Sequence, residues 1–149
     1  MKAREDTVEV VLRSLTRWAN NHEDVCAAAL VGSWARGTAR MESDIDVMFL
    51  VNNPSQFRLE ERWVNEIDWP NTLKICSWED KTYGVVWSRH VLLKADLADA
   101  PLVAELSFGL HSWADVNPID AGTRQVMSGG CRILYESDNQ LTLLVDKLG

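Results

Sequence analysis

The chain has 149 residues, 46% hydrophobic and 25% charged, with a formal net charge of −7. That length and composition point to one domain, residues 1–149, with a core to bury, and exclude a disordered tail. The acidic balance argues against general nucleic-acid binding, which needs clustered Lys and Arg, and is compatible with a site for divalent cations.

In chain order, Glu5 to Ala19 place Val8, Val11, Leu12, Leu15 and Trp18 at helical spacing between charges, which predicts an amphipathic helix. The run from Val25 to Ser33 is small and apolar, short enough for a buried strand, and ends in Gly32-Ser33. Trp34 to Ala39 suit one or two helical turns and Arg40 to Ser43 a loop; Asp44 to Val51 read as a second strand. Pro54 breaks that strand, and Gln56 to Ile67 predict one helix burying Phe57, Leu59, Trp63 and Ile67. A short third strand is expected over 72–78. Two apolar runs, 83–95 and 101–110, flank the turn-rich Asp96 to Ala100 as a hairpin. Asp120 reads as the N-cap of a short helix stopped by Gly129-Gly130, followed by a last strand over 131–137 and a closing helix. Helices and strands mixed in this way predict an α+β or α/β fold.

The seven tryptophans are scattered, which favours packing over a stacking platform. Cys26, Cys76 and Cys131 show no metal or disulfide spacing, and Cys26 and Cys76 lie in apolar runs where a free thiol acts as a small hydrophobe. The N-terminus is too charged for a signal peptide or a membrane span, so the expectation is a reduced, cytoplasmic protein with no membrane partner.

The stretch GSWARGTARMESDIDVMFL, Gly32 to Leu50, carries the chemistry. Asp44 and Asp46 are two apart on a predicted strand and so share a face. Two carboxylates that close repel unless a cation sits between them, and such oxygens suit Mg²⁺, one ion or two, together with substrate phosphates. Gly32-Ser33 closes a strand and opens a helical turn, where backbone amides meet a phosphate and the Ser hydroxyl adds a bond. If the two strands are neighbours, phosphate cradle and metal carboxylates meet on one sheet, as in-line nucleotidyl transfer requires.

This pattern resembles the signature of the polymerase-β-like nucleotidyltransferase superfamily: Val31, Gly32, Ser33, the segment Trp34 to Ser43, then Asp44, Ile45, Asp46, Val47. It is most similar to minimal, stand-alone bacterial nucleotidyltransferase domains, related to aminoglycoside nucleotidyltransferases and to antitoxins of HEPN-domain toxins. The resemblance implies an α+β nucleotidyltransferase fold, with a mixed, mostly antiparallel sheet packed with helices. It also implies a third carboxylate on a later strand, often the base for the attacking hydroxyl. Glu105 is the only acid inside the apolar run 101–110, on the face opposite Leu102, Ala104, Leu106 and Phe108. Asp96, Asp99 and Asp115, in predicted turns, are weaker choices. Many members carry Asp where this chain has Glu105.

The expected activity is Mg²⁺-dependent transfer of a nucleoside monophosphate from a nucleoside triphosphate, ATP first, to a hydroxyl, with release of pyrophosphate. Asp44, Asp46 and Glu105 are the metal and catalytic candidates; Gly32, Ser33, Arg36 and Arg40 are the nucleotide-binding ones. The aminoglycoside enzymes carry a second helical domain for which this chain has no room, so a second copy, a protein partner or a protein acceptor is expected to complete the site. The alternative reading is an antitoxin-like protein that binds or nucleotidylates a HEPN-type toxin.

Overall fold

The computed structural model describes residues 2–96 and 100–149; Asp99 lies outside the described residues. Its elements run α1 (Lys2–Asn21), β1 (Val25–Val31), α2 (Gly32–Arg36), β2 (Ile45–Val51), α3 (Pro54–Leu59), α4 (Arg62–Glu66), β3 (Lys74–Tyr83), β4 (Val86–Lys94) and β5 (Leu102–Leu110). A 3₁₀ turn (His111–Ala114), α5 (Ala121–Met127), β6 (Arg132–Glu136) and α6 (Gln140–Leu148) complete the described chain. The strands form one sheet in the order β3-β4-β5-β2-β1-β6, in which β2 and β5 are parallel and every other pair is antiparallel. The expected α+β fold with a mostly antiparallel sheet is therefore the observed one.

β1 and β2 are central because they are apolar on both faces, the residue pattern of strands covered on two sides. On one face α1, α3 and α4 press Val11, Leu12, Leu15, Trp18, Phe57, Trp63 and Val64 onto Val47, Phe49, Leu106 and Phe108. On the other, α5, α6 and the 3₁₀ turn bring Met127, Leu141, Leu144 and Ala114 onto Ala27, Ala29, Met48 and Leu50. Three tryptophans serve the first layer as packing. Trp18 meets Phe49 edge-on at 5.4 Å, Trp87 stacks on Phe108 at 4.8 Å, and the Trp63 indole N–H donates to Phe57 O at 2.8 Å. Each such ring contributes about 1.5–3 kcal/mol by burial, provided its N–H is satisfied.

Three local expectations change. The single helix expected over 56–67 is broken at Glu60, whose backbone is extended. The cause is Arg89, whose side chain is 1% exposed. Its guanidinium donates to Arg58 O at 3.2 Å and Glu60 O at 3.1 Å, grips Asp80 at 2.8 and 3.0 Å, and lies over the rings of Trp63, Trp78 and Trp87. Carbonyls that one continuous helix would use internally are turned to a buried cation instead. The third strand, expected to stop at Trp78, runs on to Tyr83, and the run expected from Tyr83 is split by a tight turn at Gly84, with φ +61°. Cys76 is exposed on β3, an edge strand, and does not pack as a hydrophobe; Cys26 is half-buried.

Candidate functional site

The site forms where four strands come level. Val31 at the end of β1 pairs with Asp46, Asp46 with Glu105 on β5, and Glu105 with His90 on β4. Asp44 stands just before β2, and one carboxylate oxygen from each of Asp44, Asp46 and Glu105 lies within 4.8 Å of the other two. All three residues are half-buried.

The chain leaves β1 through Gly32, with φ +74°. Glycine is required twice over here. The left-handed backbone strains any other residue, and a Cβ at this position would collide with Asp46 Oδ2. The backbone at the start of α2 therefore lies directly against a site carboxylate. Its first amides have no partner within the helix, as in any helical first turn.

Three carboxylates this close repel one another, and the site shows it. The Asp46 carboxyl is pushed up from its ordinary 3.8 to about 9, first by burial, then by its hydrogen bond to Glu105 and the charges of Glu105 and Asp44, with Arg36 opposing. Asp44 is also raised, by burial and by Glu105, against the pull of His90 and Lys81. Such a set of hard oxygens fits Mg²⁺ or Mn²⁺: a divalent ion would relieve both the desolvation and the repulsion.

Of the other residues singled out in the sequence, Arg36 lines the cleft over the carboxylates, as does Gly32. Ser33 sits in the first turn of α2, where its carbonyl accepts the Thr38 amide. Arg40 is exposed on the loop before β2, its amide bonded to Ser43 Oγ at 2.8 Å, and does not line the cleft. Trp34 turns away from the carboxylates and donates to Ser43 O at 3.3 Å, packed against the α1 layer. Asp115 follows the 3₁₀ turn, outside the cluster of carboxylates.

The cleft encloses about 640 Å³ and runs from Gly32 and Arg36 past Asp46 and Glu105 to the β3–β4 hairpin and Trp113, with α5 along one side. A second cavity, of about 430 Å³, lies on the opposite face between α1 and α2 and holds none of the three carboxylates.

Sequence reasoning missed His90. Its Nε2 lies 3.1 Å from Glu105 Oε1 yet makes no hydrogen bond among the described residues. The signal was available: alternation along Ser88 to Leu93 puts Arg89, Val91 and Leu93 on one face and Ser88 and His90 on the other. Only the register of β4 on β5 brings His90 to Glu105.

No curated protein matches the chain. The family model described as polymerase beta, nucleotidyltransferase, matches residues 13–98. That span contains Gly32, Ser33, Asp44 and Asp46 and stops short of Glu105, which the parallel pairing of β2 and β5 brings to them. With the matched segment covering more than half of the residues and holding Gly32, Ser33, Asp44 and Asp46, the chain belongs to the polymerase β nucleotidyltransferase family, whose general chemistry is nucleotidyl transfer.

Proposed function

We propose that the 149 residues work as one nucleotidyltransferase domain, moving a nucleoside monophosphate from a nucleoside triphosphate, ATP first, to a hydroxyl and releasing pyrophosphate in a Mg²⁺-dependent reaction. The observation that carries this reading is the set of Asp44, Asp46 and Glu105 oxygens within 4.8 Å of one another, against the glycine that opens α2. Asp44, Asp46 and Glu105 would hold the metal, which when bound supplies Lewis-acid polarisation of the phosphoryl oxygens. The amides of Gly32 and Ser33 and the Ser33 hydroxyl would hold the outer phosphates. Arg36, already on the cleft, would neutralise them, while Arg40 would reach only their solvent end. Glu105 would take the proton of the attacking hydroxyl, since it stands on the strand farther from Gly32.

The test is binding first, transfer second. With Mg²⁺ present, calorimetry should show ATP binding that is lost with EDTA and in Asp46→Ala. Labelled α-phosphate should then pass to an acceptor, or to water as the slow default. A folded wild-type protein that shows no metal-dependent nucleotide binding sinks the reading.

A further inference from the structure

The proposed function leaves the acceptor open, and the far end of the cleft bears on it. Gly32 follows the residue level with Asp46, so it lies at the end of the site where β1 finishes. On the other side of the carboxylates, Gly109 stands four residues beyond Glu105 along β5, about 13 Å away at the usual strand rise. There Met48, Val86 and Trp113 close over Gly109, with Met48 Cε 2.7 Å from where a Cβ would sit, and these three side chains line the far end of the cleft. Tyr83 and Val85, at the tip of the β3–β4 hairpin, continue this wall and are 52% and 93% exposed. Apolar side chains gathered at the mouth of one cleft mark a surface that covers something. Of the polar groups lining the cleft, Ser88 Oγ and Ser107 Oγ bond to each other at 2.6 Å, while Asp120 and Gln125 stand on the α5 side.

Resting on the function proposed above, in-line displacement fixes which reactant meets this wall. With the outer phosphates over Gly32 and Arg36, the bond to pyrophosphate breaks on that side. The incoming hydroxyl must enter from the opposite side, over Ser107. We infer that the end of the cleft lined by Met48, Val86 and Trp113 is the acceptor subsite, and that it takes a hydroxyl carried on a small apolar or aromatic body, an alcohol or a phenol. The hydroxyl oxygen forms a bond to the α-phosphorus as the bond from that phosphorus to the bridging oxygen breaks. Pyrophosphate leaves with the electron pair, and the hydroxyl proton passes to the Glu105 carboxylate. A polyhydroxylated acceptor would turn unpaired polar groups onto Met48, Val86 and Trp113, at a desolvation cost the apolar body avoids.

The experiment uses the whole chain with Mg²⁺, α,β-methylene-ATP as the unreactive nucleotide, and 4-methylphenol and glycerol as acceptor probes, each titrated by NMR. The nucleotide complex should bind 4-methylphenol at least about tenfold more tightly than glycerol. Val85→Asp and Tyr83→Asp, both at exposed positions, should weaken 4-methylphenol about tenfold while leaving the nucleotide affinity within about twofold. If glycerol binds as well as 4-methylphenol, or the two variants bind 4-methylphenol unchanged, the acceptor assignment is overturned. If the variants instead weaken the nucleotide, the wall belongs to the base and the assignment is again wrong. Failure of wild type to bind α,β-methylene-ATP with Mg²⁺ is a different result: it removes the transferase reading itself.

Discussion

Asp46→Asn should stabilise the metal-free protein while ending its response to metal. Asparagine has the shape of the protonated aspartate and can keep the hydrogen bond to Glu105. In the wild type the Asp46 carboxyl is raised from 3.8 to about 9, chiefly by burial. Near neutral pH the folded chain therefore keeps a proton that the unfolded chain has released. Each pH unit across that gap costs about 1.4 kcal/mol, which sets a ceiling of about 4 kcal/mol at neutral pH. Coulomb's law gives the same order: two full charges within 4.8 Å of each other repel by at least about 3 kcal/mol at an effective dielectric of 20. The site is open to water on one side, so about 2 kcal/mol is the expected gain, or about 4–8 °C in Tm. The sign follows from a raised carboxyl. The penalty is absent below about pH 4, grows as pH rises, and is complete only above about pH 9. Urea unfolding followed by tryptophan fluorescence in EDTA should show the variant more stable near neutrality and equal to wild type near pH 4. Adding Mg²⁺ should stabilise the wild type and leave the variant unmoved. A variant that is no more stable than wild type at neutral pH, or whose advantage does not shrink on acidification, refutes the account of the site.

Glu105→Ala should lower labelled-nucleotide transfer by about 10²–10⁴-fold, the usual worth of a positioned base, and weaken Mn²⁺ binding measured by electron paramagnetic resonance. Gly32→Ala should cost at least about 2 kcal/mol in urea unfolding, because it adds left-handed strain to a collision with Asp46 Oδ2. Arg89→Met should cost about 3 kcal/mol by leaving Asp80 and the carbonyls of Arg58 and Glu60 without their donor. Adding Asp80→Asn to that variant should recover part of the loss in the same assay.

What the sequence made legible was local. The runs of β1 and β2, Gly32-Ser33 and the paired aspartates need no distant partner to be read, because apolar continuity and side-chain alternation are set by the backbone alone. Glu105 was readable for the same reason, as the acid on the polar side of an otherwise apolar alternation. What escaped depends on tertiary contact. β3 is exposed along most of its length, so its second half has no apolar rhythm to betray a strand. The break at Glu60 is made by an arginine far along the chain, and no propensity within 56–67 encodes it. Cys76 looked buried because its neighbours are apolar, but an edge strand turns both faces partly to water.

The site itself hangs on the one parallel pairing in the sheet. Asp46 and Glu105 are separated by two helices and a hairpin in sequence, yet they face each other because β2 and β5 align Ile45 with Ala104 and hold that register to Val51 and Leu110. A slip of one residue would turn Glu105 into the packed layer of Phe49 and Phe108 and bring Leu106 to Asp46. That alternative buries a charge and exposes a core leucine, so the same apolar contacts that fold the sheet also exclude it. The aromatic layer on one face thus sets the register that assembles the carboxylates on the other. The repulsion among those carboxylates is small beside the burial that imposes it, which is why a cluster unfavourable in itself persists.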